Sequence, residues 1–96
     1  MWRLISPTSA ENDETSIITE DRFHKTYSDG TRKLSLRYEA GFNTERELVI
    51  TFYFYPPVRW ADGETLTSSE LQKLLTDIKE AEFLMGSKVE FDMGAL

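Results

Sequence analysis

Cysteine is absent from the chain and histidine occurs once, at position 24. Without thiols there is no disulfide, no thiolate nucleophile and no cysteine-ligated metal. One imidazole does not build a histidine-rich zinc site either. Long apolar runs are also missing. Nothing approaches the roughly 20 apolar residues needed to span a bilayer, and Met1-Trp2-Arg3-Leu4-Ile5 is too short for the apolar core of a signal peptide. Pro7 and the acids beyond Ala10 cut it off. The expected setting is therefore soluble and cytoplasmic. Basic charge is scarce: 11 Lys and Arg stand against 17 Asp and Glu, for a net charge of −6 and a pI near 4.7. That balance disfavours general binding to nucleic acid or anionic membrane, both of which reward Lys and Arg, and it leaves room for a basic partner. The 5 glycines stand singly, so no glycine-rich loop is available to cradle phosphate.

What is present is ordinary globular composition. Of 96 residues, 40% are hydrophobic and 29% charged, which fits one domain over 1–96 rather than a disordered chain. A chain of this length buries roughly 60–65% of its unfolded surface, enough for one modest core. No internal repeat or low-complexity tract interrupts it.

The stretch from Glu47 to Phe91 organises the rest. It begins with the apolar and aromatic run Leu48-Val49-Ile50-Thr51-Phe52-Tyr53-Phe54-Tyr55, rich in strand formers and long enough for a central position. Pro56-Pro57 ends it, because proline cannot donate to a strand ladder. After the Asp62-Gly63 turn, Thr67 is the expected N-cap of a helix, with Glu70 completing a capping box and Leu66 and Leu71 at the staple positions. Leu71, Leu74, Leu75, Ile78, Ala81 and Met85 then share one helical stripe. Gln72, Lys73, Thr76, Lys79 and Glu80 oppose it, and the pairs Asp77/Glu80 and Glu70/Lys73 read as a solvated face. Phe83 and Leu84 fall off the stripe, so the helix either ends near Glu82 or turns them onto another part of the sheet. Gly86 is the natural stop, and Lys88 to Met93 alternates as a closing strand parallel to the aromatic one, reached by a crossover.

Upstream, Trp2–Ile5 reads as a short edge strand and 8–15 as an acidic loop. Ser16–Thr19 reads as the start of a strand that continues, after Glu20-Asp21, as Arg22–Tyr27. Asp29-Gly30 signals a type I′ hairpin, and Leu34, Leu36 and Tyr38 alternate with Lys33, Ser35 and Arg37 on the returning strand. Gly41–Thr44 makes the next turn. The expected fold is α+β: a mostly antiparallel, twisted sheet of four to five strands with one amphipathic helix on one face, in β-β-β-β-α-β order. Residues 94–96 are expected to be a frayed tail.

Chemistry is hard to find. His24 sits in a strand without a nucleophile or orienting carboxylate visible in sequence, and reads as structural or merely exposed. The carboxylates fall at surface spacings, and none is marked for an apolar pocket of the kind that raises a catalytic acid. No enzyme activity, cofactor or metal site is expected. The distinctive cluster is Tyr53, Tyr55, Arg59 and Trp60, which combines the three residue types that dominate binding hot spots. With the helix on one face of the sheet, Tyr53 and Tyr55 would meet Ser35 and Arg37 on the other, an aromatic and basic patch on an acidic protein. Trp60 has two readings, a plug at the end of the core or an interface anchor. The same face would also serve a homodimer packed sheet against sheet.

The run Arg59-Trp60-x-Asp62-Gly63-Glu64-x-Leu66-Thr67-x-x-Glu70, continuing through Leu74, Ile78, Ala81 and Gly86 to Val89-Glu90-Phe91, resembles the C-terminal half of small bacterial immunity proteins from polymorphic-toxin systems. The Ser28-Asp29-Gly30-x-Arg32-Lys33 hairpin with Glu39 fits the same pattern, while the acidic segment before Ser16 has no place on it. The resemblance implies a protein-binding module that blocks a toxin domain, with a basic toxin as the partner favoured by charge. Two other readings stand beside it: a structural or assembly protein, for example phage-derived, working as a homo-oligomer, and a small ligand-binding domain with a pocket between sheet and helix.

Overall fold

The computed structural model describes residues 1–94. It holds β1 (Arg3–Ser6), β2 (Ser9–Asn12), β3 (Thr15–Thr19), β4 (His24–Asp29), β5 (Arg32–Phe42), β6 (Leu48–Tyr53), α1 (Ser68–Leu84) and β7 (Lys88–Asp92). One seven-stranded sheet runs in chain order from β1 to β7. Every neighbouring pair is antiparallel except β6 and β7, which are parallel and joined through α1. A parallel pair needs such a crossover, whereas the antiparallel pairs need only turns. The α+β class with a mostly antiparallel sheet and one helix is as the sequence predicts; the strand count and order are not.

The difference lies in 8–15 and at 20–23, where the strand expected to run on through Glu20-Asp21 instead turns back, so that β3 and β4 pair antiparallel. In place of an acidic loop, 8–15 forms β2, a turn at Asp13-Glu14 and the start of β3. Ser-Ala-Glu-Asn is poor strand material, so β2 is held by its neighbours: Ala10 pairs with Ile17, Glu11 with Ser16 and Asn12 with Thr15. Asp13 takes a left-handed φ of 48°, which a short polar side chain tolerates. The Gly30 N–H donates to the Glu14 carbonyl at 3.0 Å, tying this turn to the next hairpin. That hairpin is itself one residue out of expectation. Asp29 pairs with Arg32, leaving Gly30-Thr31 as the two-residue loop, with positive φ at Gly30 alone. Glycine at the first loop position is the type II′ pattern rather than I′. Of the tail at 94–96, Gly94 is held by its N–H to the Asp92 carboxylate at 2.9 Å, and residues 95–96 lie outside the described part.

The capping box at Thr67 and Glu70 is formed from both sides, at 3.1 and 2.9 Å. From it α1 runs to Leu84, past Glu82, and leaves Phe83 83% exposed. Leu74, Ile78 and Ala81 face the sheet, where Ile17, Tyr27, Leu36 and Phe52 are fully buried. Each large apolar side chain withdrawn from water here contributes about 1.5–3 kcal/mol. The helix comes close to β7 and also to β1 and β2, the opposite ends of the strand order, so the sheet curls around it. No helix among the described residues is long and apolar enough to cross a membrane.

Two acids on α1 are inside rather than on a solvated face. Asp77 accepts from the Tyr27 hydroxyl at 2.6 Å and from Lys73 at 2.7 Å. Glu82, 1% exposed, pairs with Lys25, 4% exposed, at 2.5 Å. Glu70 faces Arg32 at 2.9 Å rather than Lys73.

Candidate binding face

Because side chains alternate along a strand, the register places every second residue on the side away from α1. His24, Arg37, Tyr53 and Asp92 form one row across that uncovered face, and Glu39, Thr51 and Glu90 form the next. The uncovered second side of the sheet, on which the proposed patch depended, is thus present.

Arg37 lies directly across from Tyr53. Its guanidinium sits 4.8 Å from the centre of the Phe23 ring, donates to the Tyr38 carbonyl at 2.9 Å, and pairs with Glu39 at 3.5 Å. The Tyr53 hydroxyl donates to Glu39 at 3.4 Å. Partial burial, followed by the negative charge of Glu39, pushes the Tyr53 phenol above its usual pKa, so it remains a neutral donor throughout the physiological range. Tyr55 lies past the end of β6 and is 73% exposed. Arg59 donates to the Gly63 carbonyl at 3.3 Å and the Thr65 hydroxyl at 3.2 Å, bracing a small β-bridge between residues 59 and 65. Arg37, Tyr53, Tyr55 and Arg59 all line one shallow concavity of about 230 Å³. The structure brings these four together.

Trp60 is not with them. It is 4% exposed, stacks on Tyr27 with ring centres 6.1 Å apart, and carries the Arg32 guanidinium 4.4 Å from its ring centre. The reason is strand parity in the 59–65 bridge: Arg59 faces outward, so its neighbour turns inward onto the core. Of the two readings of Trp60, the core plug fits this position, and the exposed anchor does not.

Acidic groups surround the patch in a way the sequence did not predict. A second concavity of about 350 Å³, lined by Glu39, Thr51, Tyr53 and Glu90 among others, lies on the far side of Tyr53. Glu90 and Asp92 have no ion-pair partner among the described residues. Their alternation in β7 was legible, but their position beside Tyr53 follows only from the parallel β6–β7 register.

His24 does have an orienting carboxylate: its Nδ1 lies 3.1 Å from Asp21. The Phe23 N–H, and then His24, hold the Asp21 carboxyl below the ordinary range. His24 and Tyr53 are two strands apart with Arg37 between, about 10 Å at the backbone, too far to pass a proton directly. The row can bind and orient polar groups; it does not assemble a base with a nucleophile.

Away from this face, the Thr67 N–H, and then Arg32, hold Glu70 below the usual carboxylate range, and Lys88 with Asn43 does the same for Glu47. A depressed folded-state pKa contributes stability that is present above the unfolded value and lost as pH falls through the folded one. The denaturation midpoint is therefore expected to fall as pH drops below about 4, and Glu70→Gln should weaken that dependence. Parallel acid titrations of stability for the two chains check this.

Compared with known proteins, the chain matches no family model, no curated protein and no solved structure.

Proposed function

We propose that this protein is a binding module of the immunity type, which blocks a toxin domain by presenting the uncovered face of its sheet. The observation that carries the reading is the meeting of Arg37, Tyr53, Tyr55 and Arg59 around one concavity on that face. Tyrosine offers a large, stiff, amphipathic ring and arginine a planar guanidinium with five donors, and both are enriched in binding hot spots. Glu39, Glu90 and Asp92 border the same residues, so a basic partner would be steered by the acids and anchored on the rings. The likeness of the Arg59–Phe91 run to small immunity proteins points the same way.

The test is whether a toxin domain is encoded next to this reading frame and whether the protein binds it. Tyr55→Ala and Arg59→Glu are expected to weaken binding by roughly thirtyfold or more, about 2 kcal/mol, with the folded domain unchanged. An adjacent toxin that does not bind, or that binds both variants as tightly as wild type, would defeat the proposal. A homo-oligomeric assembly role is the second reading, favoured by Leu4 and Ile5, 49% and 52% exposed on the edge strand β1. Native mass at micromolar concentration separates the two, since a stable ring supports assembly and a monomer or dimer the inhibitor.

A further inference from the structure

A different cavity opens on the helix side of the sheet. It has a volume of about 210 Å³ and lies between the β1–β2 turn, β6 and the C-terminal end of α1. Pro7, Leu48, Ile50 and Met85 form much of its wall, and Lys25 and Glu82 line it as well. These two are 4% and 1% exposed, so they form its deep end rather than its rim.

Fold stability gives little reason for this pair. Burying an ion pair costs desolvation that its attraction rarely exceeds, and apolar residues of similar volume usually serve as well or better. Glu82 also stands in the final turns of α1, where the helix dipole disfavours a carboxylate, and no basic residue occupies that last turn. Beyond their mutual contact, neither group makes another hydrogen bond among the described residues. An ammonium has three donors and a carboxylate two oxygens. Donor and acceptor capacity therefore remains, side by side, at the bottom of an apolar-walled cleft.

We infer that this cleft is a binding site for a small neutral molecule with a short apolar body and a primary-amide head. The neutrality follows from charge balance. The charges of Lys25 and Glu82 sum to zero, so a charged head would enter a desolvated site without a counter-charge. The amide follows from hydrogen bonding: its carbonyl accepts from Lys25 Nζ while its N–H donates to the Glu82 carboxylate. The size follows from the volume, which lies below the usual range for drug-sized ligands and fits a fragment. This site is on the opposite side of the sheet from the proposed protein-binding face, and it stands or falls separately.

The experiment uses butyramide and benzamide as probes against the whole chain, with butyrate, butylamine and benzene as matched controls. The methyl resonances of Leu48, Ile50 and Met85 are followed by NMR. Saturable shifts at millimolar amide are expected, with butyrate and butylamine at least tenfold weaker. The variant is Lys25→Met with Glu82→Leu, which removes both charges together and keeps the fold; its folded state is checked by the dispersion of the same spectra. It should lose the amide preference and bind benzene at least as well as benzamide. No saturable shift in wild type, equal binding of charged and neutral heads, or an undiminished amide preference in the double variant would each overturn the inference.

Discussion

A chain carrying Glu82→Leu alone is expected to lose about 3–5 kcal/mol of folding stability, and adding Lys25→Met should restore most of it. The single change leaves the Lys25 ammonium 4% exposed and without its carboxylate. The Tyr38 ring, whose centre is 5.1 Å from Nζ, offers a face but not a counter-charge, and a desolvated cation–π contact, worth about 2 kcal/mol or more, offsets only part of the loss. Removing both charges eliminates the uncompensated group and fills its space with apolar atoms. A domain of this size has roughly 5–14 kcal/mol to lose, so the single variant should remain folded but marginal. Urea denaturation of the three chains, compared at a common slope, measures this. A single variant within about 1 kcal/mol of wild type would mean that water reaches Lys25. A double variant no better than the single would mean that packing, not charge, sets the cost.

That pair also marks where the sequence was legible and where it was overlooked. The 3.6-residue repeat of Leu74, Ile78 and Ala81 locates the buried stripe of α1 correctly. On the same projection Glu82 falls between Leu71 and Leu75, well inside the stripe, so the signal for a buried acid was there. It was obscured by the expectation that a charged residue is solvated, which holds unless a partner waits inside. Lys25 supplies that partner from a strand 57 residues away, a distance over which no local pattern carries information. The same holds for Tyr27 and Asp77.

The acidic hairpin of β2 and β3 was hidden for a different reason. Its inward residues over 8–15 are the small Ser9, Ala10 and Thr15, which produce no hydrophobic alternation to read. It exists because β4 offers an edge, with Ile17 set against Tyr27, and pairing with an existing sheet overrides weak local propensity. The patch, by contrast, was largely legible. Alternation alone puts Tyr53 and Arg37 on one face, and the β5–β6 register then sets them opposite each other. What alternation could not give was the turn of the chain after Pro57, which separates Arg59 from Trp60 by sending one outward and one inward.

Trp60→Ala is consequently expected to act on stability, and Tyr55→Ala on recognition. Truncating a buried tryptophan costs about 3–5 kcal/mol through lost contact and the cavity left behind. Here the loss includes the stack on Tyr27 and the platform beneath Arg32. Arg32 would keep Glu64 and Glu70 at 3.2 and 2.9 Å, but as an ion pair open to water, which holds little on its own. The damage should also spread outward, because the Trp60 N–H and carbonyl close the 59–65 bridge through Glu64 and Gly63, and that bridge aims Arg59 at the concavity. Tyr55, at 73% exposure, should change stability by no more than about 0.5 kcal/mol. Denaturation midpoints with partner affinities measured on the folded fraction distinguish the two effects. If Trp60→Ala proved as stable as wild type, the core would not extend beneath the 59–65 bridge. If Tyr55→Ala proved as unstable as Trp60→Ala, the outer ring would belong to the core, and the uncovered face would lose its most exposed anchor.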